Sequence, residues 1–301
     1  MTVLVVGATG FVGGEIAHRL RQHQISTRGL VRGGNTHPKA KQLQDAGIQI
    51  AVGDLTVAET LAAACTGIDT VVTTATSMPS GANDGLRRVD LDGSLALIDA
   101  AERAGVKKFV YTSYSGNIRY DSPLETAKRA SEVRLLQGPM QAVILRPSYF
   151  MEMWLSSALG FDPANGSVRI YGSGEGKGNY ISAFDVAEFA VAAILRPYGE
   201  KNTILEMGGP DELSQLDAVH IFEQALGRKI ELSFVPEEAL RRQHGSNDPL
   251  QKTFAALMLG YAQGDVITGA RALAEQYGVA LRSVKEYAAH LRAQEQVQSV
   301  A

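Results

Sequence analysis

Three glycines, Gly7, Gly10 and Gly13, stand in the run GATGFVGGEIAHRL, directly after a short apolar stretch that begins at Thr2. After a strand and at the mouth of a helix, each has its own task. Gly7 permits a tight turn out of the strand, Gly10 lets backbone approach a pyrophosphate, and Gly13 lets helix and strand pack closely. The helix N-terminus then offers free N–H groups and a positive dipole end to phosphate oxygens. The chemistry this spacing predicts is dinucleotide binding, with Thr9, Phe11 and Val12 of the same loop against the ligand.

The second apolar run ends Gly29-Leu30-Val31-Arg32. Sites for an unphosphorylated ribose usually place an acid there. An arginine can instead grip a 2′-phosphate bidentately and stack on adenine, whereas a carboxylate would repel that phosphate. Arg32, with Lys39 and Lys41 nearby, therefore points to NADP(H); the alternative is a solvated surface arginine. Asp54 and Leu55 follow the third run, where Asp54 can accept from the adenine amino group or cap the next helix. Thr74, Ala75 and Thr76 form a small polar loop suited to close approach by a ribose.

These residues need a frame that gathers them, and the hydrophobic pattern supplies one. Val- and Ile-rich runs at 3–6, 27–31, 48–52, 70–74, 109–112 and 142–145 alternate with helical stretches at 13–21, 39–46, 58–64, 86–104 and 124–136. That alternation predicts an α/β fold, a Rossmann-type doubly wound parallel sheet covered on both faces. The alternation breaks after Arg146. Helix is expected at 151–159, 185–195, 216–226 and through most of the chain from Thr253, and strand at 168–171, 180–184 and 203–207. The organisation expected is an NADP(H)-binding Rossmann domain over 1–150. A smaller α/β substrate region over 151–301 is expected to interleave with it. Gly172 to Gly178 reads as a flexible hairpin or a lid, and Ser283 with Glu286 as a capping box.

Composition sets the outer limits. The 301 residues are 45% hydrophobic and 20% charged, an ordinary globular balance. A net charge of −3 argues against nucleic acid as an obligatory partner. No apolar run approaches the ~18 residues of a membrane span, and no leader pattern follows Met1, so a cytoplasmic location is expected. The single cysteine, Cys65, excludes an intrachain disulfide and reads as a small buried residue. Six scattered histidines show no paired ligand spacing, and no metal is expected.

Taken together, GATGFVG, LVRGG, VGDL, TTATS, LIDAAERAGVKKFVYTS and ILRPSYF resemble the atypical short-chain dehydrogenases of the NmrA-like group. That group includes triphenylmethane reductase and NADPH-dependent quinone oxidoreductase. The likeness extends through 181–187 and 260–286. It implies an extended Rossmann fold, NADP(H) across the carboxyl ends of the strands, and a substrate cleft beside the C-terminal region. The group includes both reductases and regulators that bind the dinucleotide without turning it over.

In short-chain dehydrogenases a tyrosine stands four residues before a lysine that binds the nicotinamide ribose and lowers the tyrosine pKa. The resemblance places Ser113 at the strand end in YTSYSG and Lys128 in SPLETAKRASEVRLL, but the residue four before Lys128 is Leu124. The usual phenolic acid is absent. That disfavours alcohol dehydrogenase chemistry and sugar-nucleotide epimerisation, because a developing alkoxide needs an acid close by. It favours hydride delivery to a conjugated acceptor such as a quinone or dye, with Lys128 and Ser113 as working residues, or else an NADP(H) sensor acting through a protein partner. Tyr149 is the expected stand-in phenol and, with Pro147, a cofactor contact; Tyr114 and Tyr120 are further phenols, though a pocket-wall aromatic is the simpler reading of each. Tyr114, Phe150, Met153 and Trp154 are the expected substrate-pocket residues, with core packing the alternative for Met153 and Trp154. A monomer or homodimer binding a small-molecule substrate is expected.

Overall fold

The computed structural model describes residues 1–78, 84–199 and 201–298. β1 (Thr2–Val6) is buried at four of five positions, Val3 and Val5 entering one core and Leu4 and Val6 another. A strand apolar on both faces belongs inside a parallel sheet. There follow α1 (Phe11–Gln22), β2 (Ser26–Val31), α2 (Ala40–Asp45), β3 (Gln49–Val52), α3 (Glu59–Cys65) and β4 (Thr70–Thr73). A π-helical run, Leu86–Gly93, continues into α4 (Ser94–Arg103), then β5 (Lys108–Thr112), α5 (Pro123–Leu136) and β6 (Gln141–Pro147). The second half holds β7 (Tyr149–Phe150), α6 (Met151–Trp154), β8 (Phe161–Asp162), β9 (Ser167–Tyr171), β10 (Gly178–Ile181), α7 (Ala183–Leu195), β11 (Thr203–Met207) and β12 (Glu212–Leu213). It ends with α8 (Gln215–Leu226), β13 (Glu231–Val235), α9 (Glu237–His244), α10 (Pro249–Gln263), α11 (Ala270–Tyr277) and α12 (Val284–Gln298).

The central sheet runs β11-β6-β5-β4-β1-β2-β3, with every neighbouring pair parallel. Ile16, Leu20, Val186 and Phe189 pack on one face and Leu61, Leu97 and Leu135 on the other, so the sheet is doubly wound as expected. Strand order reverses between β1 and β4, the place where such sheets open a crevice at their carboxyl edge. Val6 pairs with Leu30 and with Thr73, which brings Gly7, the end of β2 and Thr74 to one edge. A third core, with Ile170, Phe222 and Leu259 at its centre, lies beneath two small three-stranded sheets.

The second half of the chain threads into the first. β11 is the outermost strand, beside β6, and α7 packs on α1. Lys108 joins these parts: fully buried at the start of β5, its Nζ donates to the carbonyls of Ala193 (2.9 Å), Ile194 (3.4 Å) and Arg196 (2.7 Å). The last carbonyls of α7, which have no partner within the helix, are satisfied in this way.

Some elements differ from the sequence reading. The strand expected to reach 184 stops at Ile181, because the Ser182 hydroxyl accepts from the Phe184 N–H and begins α7. The helix expected over 151–159 ends at Trp154 and resumes as a single 3₁₀ turn, Ser157–Leu159. Gly172 to Gly178 is no hairpin: it links β9 and β10, which lie in different sheets. A Cβ on Gly176 would come within 2.4 Å of the Ala262 carbonyl, so this link is packed tightly on α10. β13 and α9 escaped notice because β13 is largely exposed and α9 buries only Leu240. Cys65 is buried and free, its thiol pushed by burial up to about 11. The capping box forms, with Ser283 N–H on Glu286 Oε2 (2.8 Å) and Glu286 N–H on Ser283 Oγ (3.2 Å). Among the described residues no helix is long and apolar enough to cross a membrane.

Candidate functional site

The glycine loop is a cradle with no room for side chains. Gly7 has φ +93°, and a Cβ on it would lie 2.7 Å from Thr74 Oγ1 and 3.1 Å from the Ala75 nitrogen. A Cβ on Gly13 would come within 2.2 Å of the Gly7 carbonyl. The loop therefore presses against the end of β4 while α1 starts flush behind it at Phe11. In front lies a cleft of about 910 Å³, near the upper end of the ~300–1,000 Å³ common for small-molecule and cofactor sites.

One end of the cleft is polar. Arg32 lines it at the tip of β2, exposed and without an ion-pair partner among the described residues, with His37 alongside. Lys39 reaches the loop itself, donating to the Thr9 carbonyl at 2.7 Å, whereas Lys41 turns away to Asp45 (3.0 Å). Asp54 and Leu55 also line the cleft. Asp54 Oδ1 accepts from the Thr56 N–H (2.8 Å) and hydroxyl (2.9 Å), and its other oxygen has no partner among the described residues. The middle is formed by Gly7, Thr9, Gly10, Phe11 and Val12 on one side and Thr74, Ala75 and Thr76 on the other.

The far end is apolar. Phe150 and the 39%-exposed Met153 face it after β6, and Phe184 joins from the start of α7, edge-to-face with Phe11 at 5.0 Å. Glu152 supports this wall: Oε1 accepts from the Ser182 hydroxyl (2.6 Å) and Oε2 from the Ala183 N–H (2.8 Å), favourable at a helix N-terminus. α12 lines the cleft as well, with Tyr287, His290, Leu291 and Gln294. Burial, with the Glu152 charge adding to it, lifts the Tyr287 phenol to about 12. Sequence reasoning anticipated this helix and its cap but named none of these four as cleft residues, because nothing local to 284–298 ties it to a loop nearly 280 residues earlier.

Five expected site residues lie elsewhere. Ser113 is buried and does not line the cleft; its hydroxyl accepts from Arg129 Nη1 at 3.3 Å. Behind it runs a charged chain: Arg129 to Glu132 (2.6 Å), Glu132 to Arg146 (2.5 Å) and Arg146 to Glu206 (2.8 Å). Burial pushes the Glu132 carboxyl up, but hydrogen bonds from Arg146 and Ser113 outweigh it and leave it below its ordinary value. Tyr149, expected as an acid, is 3% exposed among Trp154, Tyr180 and Tyr261, its hydroxyl buried without a partner. Burial, aided by Asp265, holds its pKa well above the usual phenol value. Trp154 packs on Tyr149 and Tyr261 at 4.6 and 4.5 Å, so Met153 faces the cleft and Trp154 the core. Tyr114 stacks on Arg129 (4.8 Å), and neither it nor Pro147 lines the cleft.

Lys128 does not line the cleft either, and is linked to it through Asp90, which lies 4.0 Å from its Nζ and is hydrogen-bonded to the cleft residue Ser77. Ser122 caps α5 by accepting from the Glu125 N–H (3.1 Å) and Pro123 fills its first turn, which fixes where Lys128 falls. Lys128 is 7% exposed; its Nζ donates to the Thr112 carbonyl (3.1 Å) and lies 5.2 Å over the Tyr111 ring. Leu124, one turn earlier, is buried and offers no hydroxyl. The Tyr111 and Thr112 hydroxyls and Asp90 Oδ1 are all buried without hydrogen-bond partners among the described residues. A cradle that a Cβ on Gly7 or Gly13 would fill, and an arginine without an ion-pair partner among the described residues, form a donor set that fits a phosphorylated dinucleotide.

Residues 1–259 match the NmrA-like family. The chain is 31% identical over 255 residues to an NAD(P)H azoreductase of Xenophilus azovorans, covering 82% of each. It is 31% identical over 264 residues to the photosystem II assembly factor Ycf39 of Synechocystis sp., covering 85% of this chain and 77% of that one. The NADPH-dependent quinone oxidoreductase QOR2 of Escherichia coli, solved with NADPH, shares the fold. Its TM-score is 0.78 at 23% identity, covering 97% of this chain and 99% of that chain. By sequence match and by fold, this chain belongs to the NmrA-like family.

Proposed function

We propose that this protein is an NADP(H)-dependent reductase that passes hydride to a small conjugated acceptor, a quinone, an azo or other dye, or a related carbonyl compound. The observation that carries this reading is the composition of one continuous cleft, from the unpaired Arg32 past the glycine cradle to a wall of Phe150, Met153, Phe184 and Leu291. When bound, the nicotinamide supplies the hydride. Arg32 holds the 2′-phosphate, the loop N–H groups of 10–12 meet the pyrophosphate, and Lys128 holds the nicotinamide ribose. The apolar wall, part of the substrate region formed by the second half of the chain, presents a flat acceptor and keeps water away from the transfer. Leu124 stands four residues before Lys128, so the tyrosine of the usual pair is absent from α5. An acceptor that disperses its own charge and takes its proton from solvent agrees with that arrangement. The azoreductase relative supports the reading by name.

A second reading, an NADP(H)-binding protein that works through a protein partner, draws on two observations: Ser113 and Tyr149 are withdrawn from the cleft, and one relative is named an assembly factor. The deciding experiment measures NADPH oxidation with a panel of quinones, azo dyes and aldehydes. Turnover with at least one conjugated acceptor, lost in Lys128→Ala, is expected. Tight NADP⁺ binding with no turnover on any acceptor would overturn the reductase reading in favour of the second.

A further inference from the structure

Asp90 is a carboxylate with no exposure to solvent, in an apolar layer of the fold. It lies on the π-helical run Leu86–Gly93, a winding that is rare and often found at functional sites. That run is pinned where it stands. A Cβ on Gly93 would come within 2.8 Å of the Leu55 carbonyl, so its backbone lies directly on the loop that lines the adenine end of the cleft. The Asp90 side chain has two different sides. Oδ2 accepts from both the N–H (2.9 Å) and the hydroxyl (2.6 Å) of Ser77, a residue that lines the cleft. Oδ1 accepts no hydrogen bond from the described residues and lies 4.0 Å from Lys128 Nζ.

A buried carboxylate is costly unless it is paired and hydrogen-bonded. A structural pair would close the 4.0 Å gap and use every acceptor. Here one oxygen fixes the cleft loop at Ser77 and the other faces the lysine without touching it. Of the three Nζ donors of Lys128, one is used, by the Thr112 carbonyl.

We propose that Asp90 is the positioning residue of this site, holding Ser77 and the Lys128 ammonium in fixed relation so that Lys128 can donate to the nicotinamide ribose. Resting on the assignment of Lys128 made above, this adds a residue that touches neither cofactor nor acceptor. Asp90 supplies the opposite charge that keeps a buried ammonium in place, and its tie to Ser77 makes the lysine and the loop after β4 move as one unit.

The test compares two ligands by calorimetry: NADP⁺, which carries the nicotinamide ribose, and 2′,5′-ADP, which lacks it. Asp90→Asn is expected to weaken NADP⁺ by roughly tenfold, the loss of one charge-assisted contact. Affinity for 2′,5′-ADP should stay as in the parent protein, and Asp90→Glu should recover part of the loss. In the double variant Asp90→Asn with Lys128→Met, NADP⁺ affinity should fall no further than in Lys128→Met alone. This double variant also removes both buried charges, so it serves where Asp90→Asn by itself does not fold. Unchanged NADP⁺ affinity in folded Asp90→Asn, or equal weakening of both ligands, would overturn the proposal, as would strictly additive losses in the double variant. If Lys128→Met itself leaves NADP⁺ affinity intact, the assignment of Lys128 to the ribose fails, and the proposal falls with it.

Discussion

β5 has a buried lysine associated with each of its ends, and the two could hardly be used more differently. Lys108, at the start, donates to three carbonyls at the end of α7 and is saturated. Lys128, packed against the other end from α5, donates to one carbonyl and faces a carboxylate at 4.0 Å and the face of Tyr111. Both are cations withdrawn from water, so burial alone does not mark a site. What separates them is donor capacity left open: Lys108 has every Nζ proton engaged, whereas Lys128 has protons to spare beside an acceptor without a hydrogen-bond partner among the described residues. The arginines divide in the same way. Arg146 is engaged by Glu132 and Glu206, whereas Arg32 has no ion-pair partner among the described residues.

The comparison breaks most visibly at Lys108. Lys108→Met leaves the α7 carbonyls unpaired and is expected to cost on the order of 3 kcal/mol in chemical denaturation. NADP⁺ affinity of the folded fraction should not change; if affinity falls while stability holds, the division between the two lysines is wrong. Next in size is Arg32→Ala, expected to cut the preference for NADPH over NADH by about 1.5–3 kcal/mol, roughly tenfold to a hundredfold. The melting temperature without ligand should remain as in the parent protein, because Arg32 supports no other described residue. An unchanged cofactor ratio would return Arg32 to a solvated surface role.

A last effect, absent at neutral pH, belongs to Cys65, a group governed chiefly by burial, with the Arg28 charge opposing it. Its thiol is raised from 9.0 to about 11 in the fold. Between those values the unfolded thiol gives up a proton that the folded one keeps, so stability declines as pH rises through that window. Cys65→Ala should flatten this decline, and thiol reagents at neutral pH should label the parent protein only as it unfolds. Rapid labelling of the folded protein would contradict the burial described.

The sheet and the polar end of the cleft were legible in the sequence because they are written locally. A strand buried on both faces must be apolar at every position, and Gly7, Gly13 and Arg32 each answer a backbone or charge requirement within a few residues. The far end was legible only in part: Phe150 and Met153, expected from the sequence, do line it. Ser113 and Tyr149 carry suitable chemistry, but the fold turns one toward Arg129 and the other into an aromatic core. Part of the cleft lining also comes from α12, whose place is set by the third core rather than by any motif. Asp90 did leave a signal. In the helical register of Leu86, Asp90, Gly93 and Leu97, a carboxylate interrupts an otherwise apolar buried stripe, and a charge in such a stripe calls for a partner.

The position of β11 at the edge of the sheet bears on how the molecule is made. Its Glu206 pairs with Arg146 on β6 across 60 residues of chain. At ribosomal rates of ~5–20 residues per second, β6 waits about 3–12 seconds for its neighbour after it emerges. During that time it is an open parallel edge, the kind of surface that recruits a foreign strand. Arg146, a charge near the end of that edge, would then guard the nascent chain for as long as Glu206 has yet to be synthesised.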